Sequence, residues 1–433
     1  MATARYTVDI FDLVTSVARV VDMMSPAVGN HHMRVAYLAY RIGEEIGMPV
    51  EERHELAMAG ALHDIGAFSL QERLDLLEFE DSKPGEHSMA GYLLLKDFEP
   101  FASISNLIRF HHTPWKDGTG AVEQGEPVPP GSHVIHLADR VAVKIDEDEA
   151  ILGQVAGICE AITKSKNDVF VPEYVDAMLR LSERDHIWLE VTSDSIESIL
   201  RESVASQTNE LDVDALLDFS RLICRLVDFK SEYTATHSTG VAATAVAMSE
   251  LVGFSREEKK FMEIAAYFHD LGKMAIPAEI LEKPGRLSDE EWVIMRSHVN
   301  YTHEILEPID IFGVISSWSA LHQERLDGTG YPFGYKAEQL PLGSRIMGVA
   351  DVFAALTENR PYREGMDKKG ARKILQSMAN DGKLDQSLVN IALKNFDEMN
   401  EIRELAQEGA RHQYTEFRSL LDKEAIGGIG KTP

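Results

Sequence analysis

The chain has 433 residues, 44% of them apolar and 26% charged, an ordinary globular balance with apolar material for more than one core. Its 71 acidic against 43 basic residues give a formal charge of −28, which repels polyanions and argues against a nucleic-acid polymer as partner; a small phosphate-bearing ligand would need local cations to reverse the field. There is no run of 18 apolar residues, no basic-then-apolar order in Met1–Ile10, and only Cys159 and Cys224, so the expectation is a cytoplasmic protein with no membrane partner and buried, reduced thiols.

The first half opens on Val20-Val21-Asp22, with Asp22 nine residues before His31, and continues through the helical run at Val35-Ala36 to His63-Asp64. His87, the pair His111-His112, the turn string Asp117-Gly118-Thr119-Gly120 and Asp139 follow. Ser206-Gln207-Thr208-Asn209-Glu210 is the most polar break in the middle of the chain and places a boundary there, giving domains 1–208 and 209–433.

The second half repeats the first. Leu226-Val227-Asp228 again stands nine residues before a histidine, His237, and Val241-Ala242 leads to His269-Asp270, all at a constant offset of 206. His298 and His322 match His87 and His111 at an offset of 211, and Asp351 matches Asp139 at 212, a drift that small loop insertions explain. Between these markers the periodicity is helical, as in Leu217, Leu222 and Leu226 or Ile374, Met378, Leu388 and Ile391, and no sustained apolar–polar alternation appears. Gly253-Phe254-Ser255 before Glu257-Glu258 reads as a helix stop and a new N-cap; Ser288 with Glu291 three residues on reads as a capping box. Both halves are therefore predicted to be all-α.

His237, His269, Asp270, His298, His322 and Asp351 lack the i, i+4 spacing of a metal clip on one helix, so they would have to converge from several helices of a bundle. Imidazole with carboxylate suits zinc, iron, manganese or nickel better than calcium or magnesium. The carboxylate of an adjacent His-Asp pair can bridge two ions, and two ions about 3.5–4 Å apart clamp the attacking and leaving oxygens of an in-line phosphoryl displacement. Any one of these histidines taken alone is more often a satisfied core residue. The recurrence of the whole ordered set in the first half is what favours ligands.

His269-Asp270-Leu271-Gly272-Lys273, then His322-Gln323-Glu324-Arg325-Leu326-Asp327-Gly328-Thr329-Gly330-Tyr331-Pro332, then Asp351 and Arg360-Pro361-Tyr362-Arg363, resemble the HD-GYP subfamily of the HD phosphohydrolases over residues 212–410. The resemblance implies a helical bundle with a di- or trinuclear metal centre that opens cyclic dinucleotides, cyclic di-GMP or 3′,3′-cyclic GMP-AMP, to a linear dinucleotide. It makes His237, His269, Asp270, His298, His322 and Asp351 metal ligands, with Asp270 the bridge and Lys273 one turn on, able to bring its ammonium to the phosphate. Arg325, Asp327, Gly328, Gly330, Tyr331, Pro332, Arg345 and Arg363 become the substrate-binding set. Many relatives have a second histidine where Gln323 stands, and trinuclear members a glutamate where Tyr233 stands. Two divalent transition-metal ions (iron, manganese or nickel) are therefore expected rather than three.

The first half resembles an HD domain too, with His31, His63, Asp64, His87, His111, His112 and Asp139 as a second candidate metal set. Ala67 replaces the lysine and Ala121 stands where Tyr-Pro would continue the loop, so cyclic dinucleotide turnover is assigned to the second half. A copy kept for packing or dimerisation is the alternative for the first half. For the whole chain the competing readings are a non-catalytic cyclic dinucleotide sensor or scaffold, and an HD phosphohydrolase acting on nucleoside phosphates. A homodimer or a signalling partner stays open.

Overall fold

The computed structural model describes residues 8–22, 29–67, 85–204, 210–229, 236–281, 283, 285–307, 309, 313–359 and 364–429. It divides into two compact units, one built on Asp9–Glu210 and the other on Leu211–Ser419, with the segment from Leu420 onward grouped with the first. Both are helical, and the strands among the described residues are two-residue pieces such as Val122–Glu123 paired antiparallel with Glu126–Pro127. No described helix is long and apolar enough to cross a membrane. Both cysteines are free thiols; Cys224 is buried as expected, whereas Cys159 is only half-buried.

The first unit holds α1 (Ile10–Asp22), α2 (His31–Glu45), α3 (Val50–Leu62), α4 (Gly85–Leu95), α5 (Ala102–Arg109), α6 (Pro130–Val143), α7 (Ile151–Lys164), α8 (Pro172–Ser182), α9 (Asp185–Val191) and α10 (Ile196–Val204). The second holds α11 (Val213–Asp228), α12 (His237–Val252), α13 (Arg256–Phe268), α14 (Ala278–Leu281), α15 (Asp289–Leu306), α16 (Gly313–Ala320), α17 (Leu342–Thr357), α18 (Lys368–Asn380), α19 (Gln386–Lys394) and the start of α20 (Phe396–Ile429).

The repeat in sequence is a repeat in packing. In the first unit α2 lies against α3 and α6, and their apolar faces, including Val35, Leu38, Leu56, Val134 and Leu137, are fully buried. In the second unit α12 lies in the same way against α13 and α17, burying Val241, Ala245, Ile264, Ile346 and Phe353. Each central helix thus opens on the first histidine of its set, and its two neighbours bring the His-Asp pair and the last aspartate toward it.

Local signals set the helix limits. Gly253 ends α12 with φ +93°, the left-handed stop that favours glycine, and its amide donates to the carbonyls of Ser249 and Glu250. Ser255 and Glu258 form a complete capping box on α13, and Ser288 and Glu291 form another on α15. Each cap is worth about 1 kcal/mol of helix stability and fixes where the helix begins.

Candidate metal centre

In the second unit the six predicted side chains converge. His237 is the first residue of α12, His269 and Asp270 leave the end of α13, His298 sits within α15, His322 follows α16, and Asp351 lies in α17. Nε2 of His269 is 3.2 Å and Nε2 of His298 3.5 Å from the Asp270 carboxylate; Nε2 of His237 is 3.4 Å from Asp351 and 3.9 Å from Asp270. The ligand atoms of His237, His269 and Asp351 lie within 4.8 Å of one another, as do those of His269, Asp270 and His322. The two groups share His269, and Asp270 faces both His298 and His237.

The imidazoles are held in one tautomer. Nδ1 of His269, His298 and His322 donates to the carbonyl three residues back, Ala266, Met295 and Ser319, at 2.6 Å in each case. That leaves each Nε2 as the lone-pair nitrogen, and all three Nε2 atoms are buried without a hydrogen bond. Burial lowers His298 to about 4, Asp270 opposing and Lys273 adding to the effect, and lowers His322 to about 3, with His269 contributing repulsion. Both are neutral at ordinary pH, the form that ligates. Burial alone would raise Asp270, but His269 and Lys273 outweigh it and keep its carboxyl well below the usual range. The neutral imidazoles of His298 and His322, and three buried Nε2 atoms without a hydrogen bond beside an ionised carboxylate, fit a divalent transition metal and are costly without one.

Two glycines make this approach feasible. A Cβ on Gly272 would stand 2.0 Å from the carbonyl oxygen of His298, and one on Gly66 would stand 2.1 Å from that of His87. The glycine two residues after each His-Asp pair lets that turn press against the helix carrying the next histidine.

His237 opens its helix, so no carbonyl of α12 stands behind it. Its Nδ1 instead donates to Glu358 Oε2 at 3.0 Å, just beyond the end of α17. Burial works against a charge on His237, but Glu358 and Asp351 outweigh it and raise the imidazole to about 10. Glu358 also accepts from Gln407 Nε2 at 3.2 Å, and Gln407 Oε1 accepts from Arg403, both on α20. The sequence reading missed this chain. Glu358 lies seven residues after Asp351, the spacing of one helix face, and that signal could have revealed it; nothing in the sequence marks Gln407 or Arg403.

Lys273, expected one turn past Asp270 with its ammonium toward a phosphate, follows it across a 3₁₀ turn, and its Nζ is 2.5 Å from Asp270 Oδ2. Gln323 does not offer its oxygen to the cluster; its amide nitrogen donates to Asp351 Oδ2 at 3.1 Å. The Asp327–Pro332 loop is built on Glu324, whose carboxylate accepts from the amides of Phe333 at 2.7 Å, Gly334 at 3.1 Å and Tyr335 at 3.1 Å, a second role the sequence reading missed. Asp327 accepts from Thr329 at its amide and hydroxyl, and Gly328 takes φ +82°. Burial, with the fields of Asp351 and Asp270, raises the Tyr331 phenol to about 12 against the pull of Arg325 and Arg296.

Two arginines depart from expectation or escape description. Arg345 was expected to pair with phosphate, but its guanidinium is committed to the carbonyls of Leu340 (2.9 Å) and Ala337 (2.5 Å) and to Asp385 (3.3 Å), which makes it a clamp on the segment before α17. Arg363, like Tyr233, lies outside the described residues. Among the described residues, the Arg325 guanidinium has a single 3.4 Å bond, to the carbonyl of Glu324.

At Gly330 an added Cβ would stand 2.3 Å from the amide nitrogen of Arg325 and 2.4 Å from Cα of Glu324, both backbone atoms that cannot rotate away. Gly330→Ala is expected to displace the loop and lower kcat/KM by about 10²-fold, the cost of an ångström-scale misplacement. Steady-state kinetics beside a thermal melt checks this, since the helical cores should melt within a few degrees of the parent.

The first unit builds a comparable cluster. Nε2 of His63 is 3.2 Å, of His87 3.4 Å and of His111 3.7 Å from the Asp64 carboxylate, and Nε2 of His31 is 3.3 Å from Asp139. Asp64, His87, His111 and His112 present ligand atoms within 4.8 Å, as do His31, His63 and Asp64, so Asp64 is common to both groups. Nδ1 of His63 and His111 again donates three residues back, to Gly60 at 2.8 Å and Ile108 at 2.6 Å. Asp139 differs from its counterpart: Arg140, itself buried, holds Oδ2 through Nε at 3.0 Å and Nη2 at 2.7 Å.

Comparison with known proteins agrees with this doubled geometry. The HD domain family matches the chain twice, over residues 28–144 and 219–388. A 3′3′-cGAMP-specific phosphodiesterase 1 of Vibrio cholerae is 29% identical over 388 residues, spanning 88% of this chain and 90% of the relative. The cyclic di-GMP phosphodiesterase response regulator RpfG of Xanthomonas campestris is 36% identical over 178 residues, 41% of this chain and 47% of the relative. The crystal structure of a V. cholerae cyclic GMP-AMP specific phosphodiesterase, V-cGAP3, superposes with a TM-score of 0.63 at 20% identity, covering 94% of this chain and 98% of that one, and so shares the fold. The chain is a tandem of two HD domains, belongs to the HD-domain family, and is homologous to the HD-GYP cyclic dinucleotide phosphodiesterases.

Proposed function

We propose that the second unit hydrolyses a phosphodiester of a guanine-containing cyclic dinucleotide, cyclic di-GMP or 3′,3′-cyclic GMP-AMP, to the linear dinucleotide, and that His237, His269, Asp270, His298, His322 and Asp351 hold two divalent transition-metal ions. The observation that carries the reading is the set of buried Nε2 atoms without hydrogen bonds around Asp270, beside Lys273 and the Tyr331 loop. Relatives named for 3′3′-cGAMP, matching 88% of this chain, and for cyclic di-GMP, matching 41% of it, support the substrate class.

Held by His237, His269, Asp270, His298, His322 and Asp351, two ions would supply Lewis acidity for activating water and for the charge that develops on the attacking and leaving oxygens. The protein's part is to hold the donors in place beforehand. Asp270 stays ionised at the centre of the set, and the backbone carbonyls and Glu358 fix each ring. Lys273 keeps an ammonium at the edge of the cluster, where a phosphate oxygen would meet it, and Arg325 adds a second cation on the loop side. In a chain of charge −28 these local cations are what let a dianionic substrate approach.

Turnover of cyclic di-GMP, 3′,3′-cyclic GMP-AMP and cyclic di-AMP by the metal-loaded full chain tests the function; no hydrolysis of the first two overturns it. Asp64→Ala is expected to leave most of that turnover in place, because the first unit has Ala67 for the lysine and Ala121 where the loop should continue. A loss as complete as that of an Asp270 variant would mean that both clusters serve one reaction.

Metal number is read by difference. The full chain and its His269→Ala/Asp270→Ala variant should differ by two ions per chain in elemental analysis, because Gln323 donates to Asp351 instead of ligating. A difference of three would show that Gln323 does not limit the site.

A further inference from the structure

Resting on the phosphodiesterase reading above, we propose that Trp292 and Arg296 on α15, with the ring of Tyr331, form the subsite for one guanine base of the cyclic dinucleotide. Trp292 is 46% exposed although it is a large aromatic residue on the helix that carries His298. Trp292 and Arg296 are four residues apart and share one helix face. The Tyr331 ring meets both: its centroid is 6.2 Å from that of Trp292 at an interplanar angle of 81°, and the Arg296 guanidinium carbon lies 4.7 Å from it. Among the described residues Arg296 makes no hydrogen bond or ion pair, so stacking on Tyr331 is what orients it, with its donors unspent.

An unspent arginine is out of place on a surface this acidic unless an acceptor arrives. The arrangement also joins the metal centre directly. Tyr331 lies in the fields of Asp270 and Asp351, and His298 is less than two turns along α15 from Trp292. A base attached to a phosphate at Asp270 therefore comes over this face of α15. The exposed indole offers a stacking surface that takes any base. The guanidinium fork adds discrimination, because two parallel N–H groups match O6 and N7 of guanine, whereas adenine presents a donor at the corresponding position. The class recognised is a purine dinucleotide with at least one guanine.

Four variants in the full chain test this: Trp292→Ala, Trp292→Phe, Arg296→Ala and Arg296→Lys. Trp292→Ala should raise KM for cyclic di-GMP on the order of 10- to 100-fold, the range that loss of one base stack gives, with kcat changed far less, and Trp292→Phe should restore most of the loss. Arg296→Ala should raise KM for cyclic di-GMP and 3′,3′-cyclic GMP-AMP but not for cyclic di-AMP, and Arg296→Lys, a point charge without the fork, should not restore the preference. Quenching of tryptophan fluorescence by cyclic di-GMP, present in the wild type and much reduced in Trp292→Phe, reads binding without turnover. That titration tests the subsite even where the wild type hydrolyses nothing and the phosphodiesterase reading fails. Unchanged KM in both alanine variants, or an equal rise for all three substrates, overturns the proposal.

Discussion

Asp270→Ala is expected to abolish cyclic dinucleotide hydrolysis and to strip the second unit of its metal while leaving the helical fold. Asp270 is the carboxylate toward which His269, His298, His237 and Lys273 all point, so its loss removes the anion they share. The loss in kcat should exceed the roughly 10²–10³-fold that removal of a single transition-state donor costs, because donor and metal go together. Some stability will be lost as well, since breaking a buried charge pair by removing one partner costs about 3–5 kcal/mol, less here for the partly exposed Lys273. Asp270→Asn separates the two effects by keeping the shape without the charge. Elemental analysis, turnover and a helical circular-dichroism spectrum check the outcome, and retained activity with normal metal loading would sink the assignment of Asp270.

The parts of this site that were legible in the sequence share one property: their signal is local or repeated. The six ligand candidates could be read because each recurs in the first half at nearly the same spacing, and a chance repeat of that length is improbable. The capping boxes at Ser255 and Ser288 are legible because the partners are three residues apart. What escaped depends on elements that meet only in three dimensions. Arg345 looked like a phosphate ligand because its residue type suits one, yet two carbonyls and Asp385, 40 residues on, take its donors. Glu324 could be placed in the loop string but not identified as the acceptor for three loop amides. Arg140 follows Asp139 where a valine follows Asp351, a difference visible in the sequence but meaningful only once its guanidinium is seen on the carboxylate.

The same reasoning makes Glu358 the next most sensitive residue of the second unit. His269, His298 and His322 each have a backbone carbonyl three residues behind to hold Nδ1, and backbone acceptors cannot be mutated away. His237 alone depends on a side chain, because it begins its helix. Without Glu358 its ring loses the acceptor that holds Nδ1 and is free to turn Nε2 away from Asp351 and Asp270. Loss of such an outer partner costs typically about 10- to 100-fold in metal affinity or activity, and Glu358→Ala should fall at the upper end. Glu358→Gln keeps an acceptor oxygen for Nδ1 without the charge and should fall at the lower end. Gln407 would lose its acceptor too in the alanine variant, adding roughly 1–3 kcal/mol of instability for the buried donors left unpaired. Chelator competition measures the affinity and thermal unfolding the stability, so the two losses are read independently. An alanine variant that is destabilised but binds metal as tightly as the parent would make Glu358 a packing residue and leave His237 oriented by its neighbours alone.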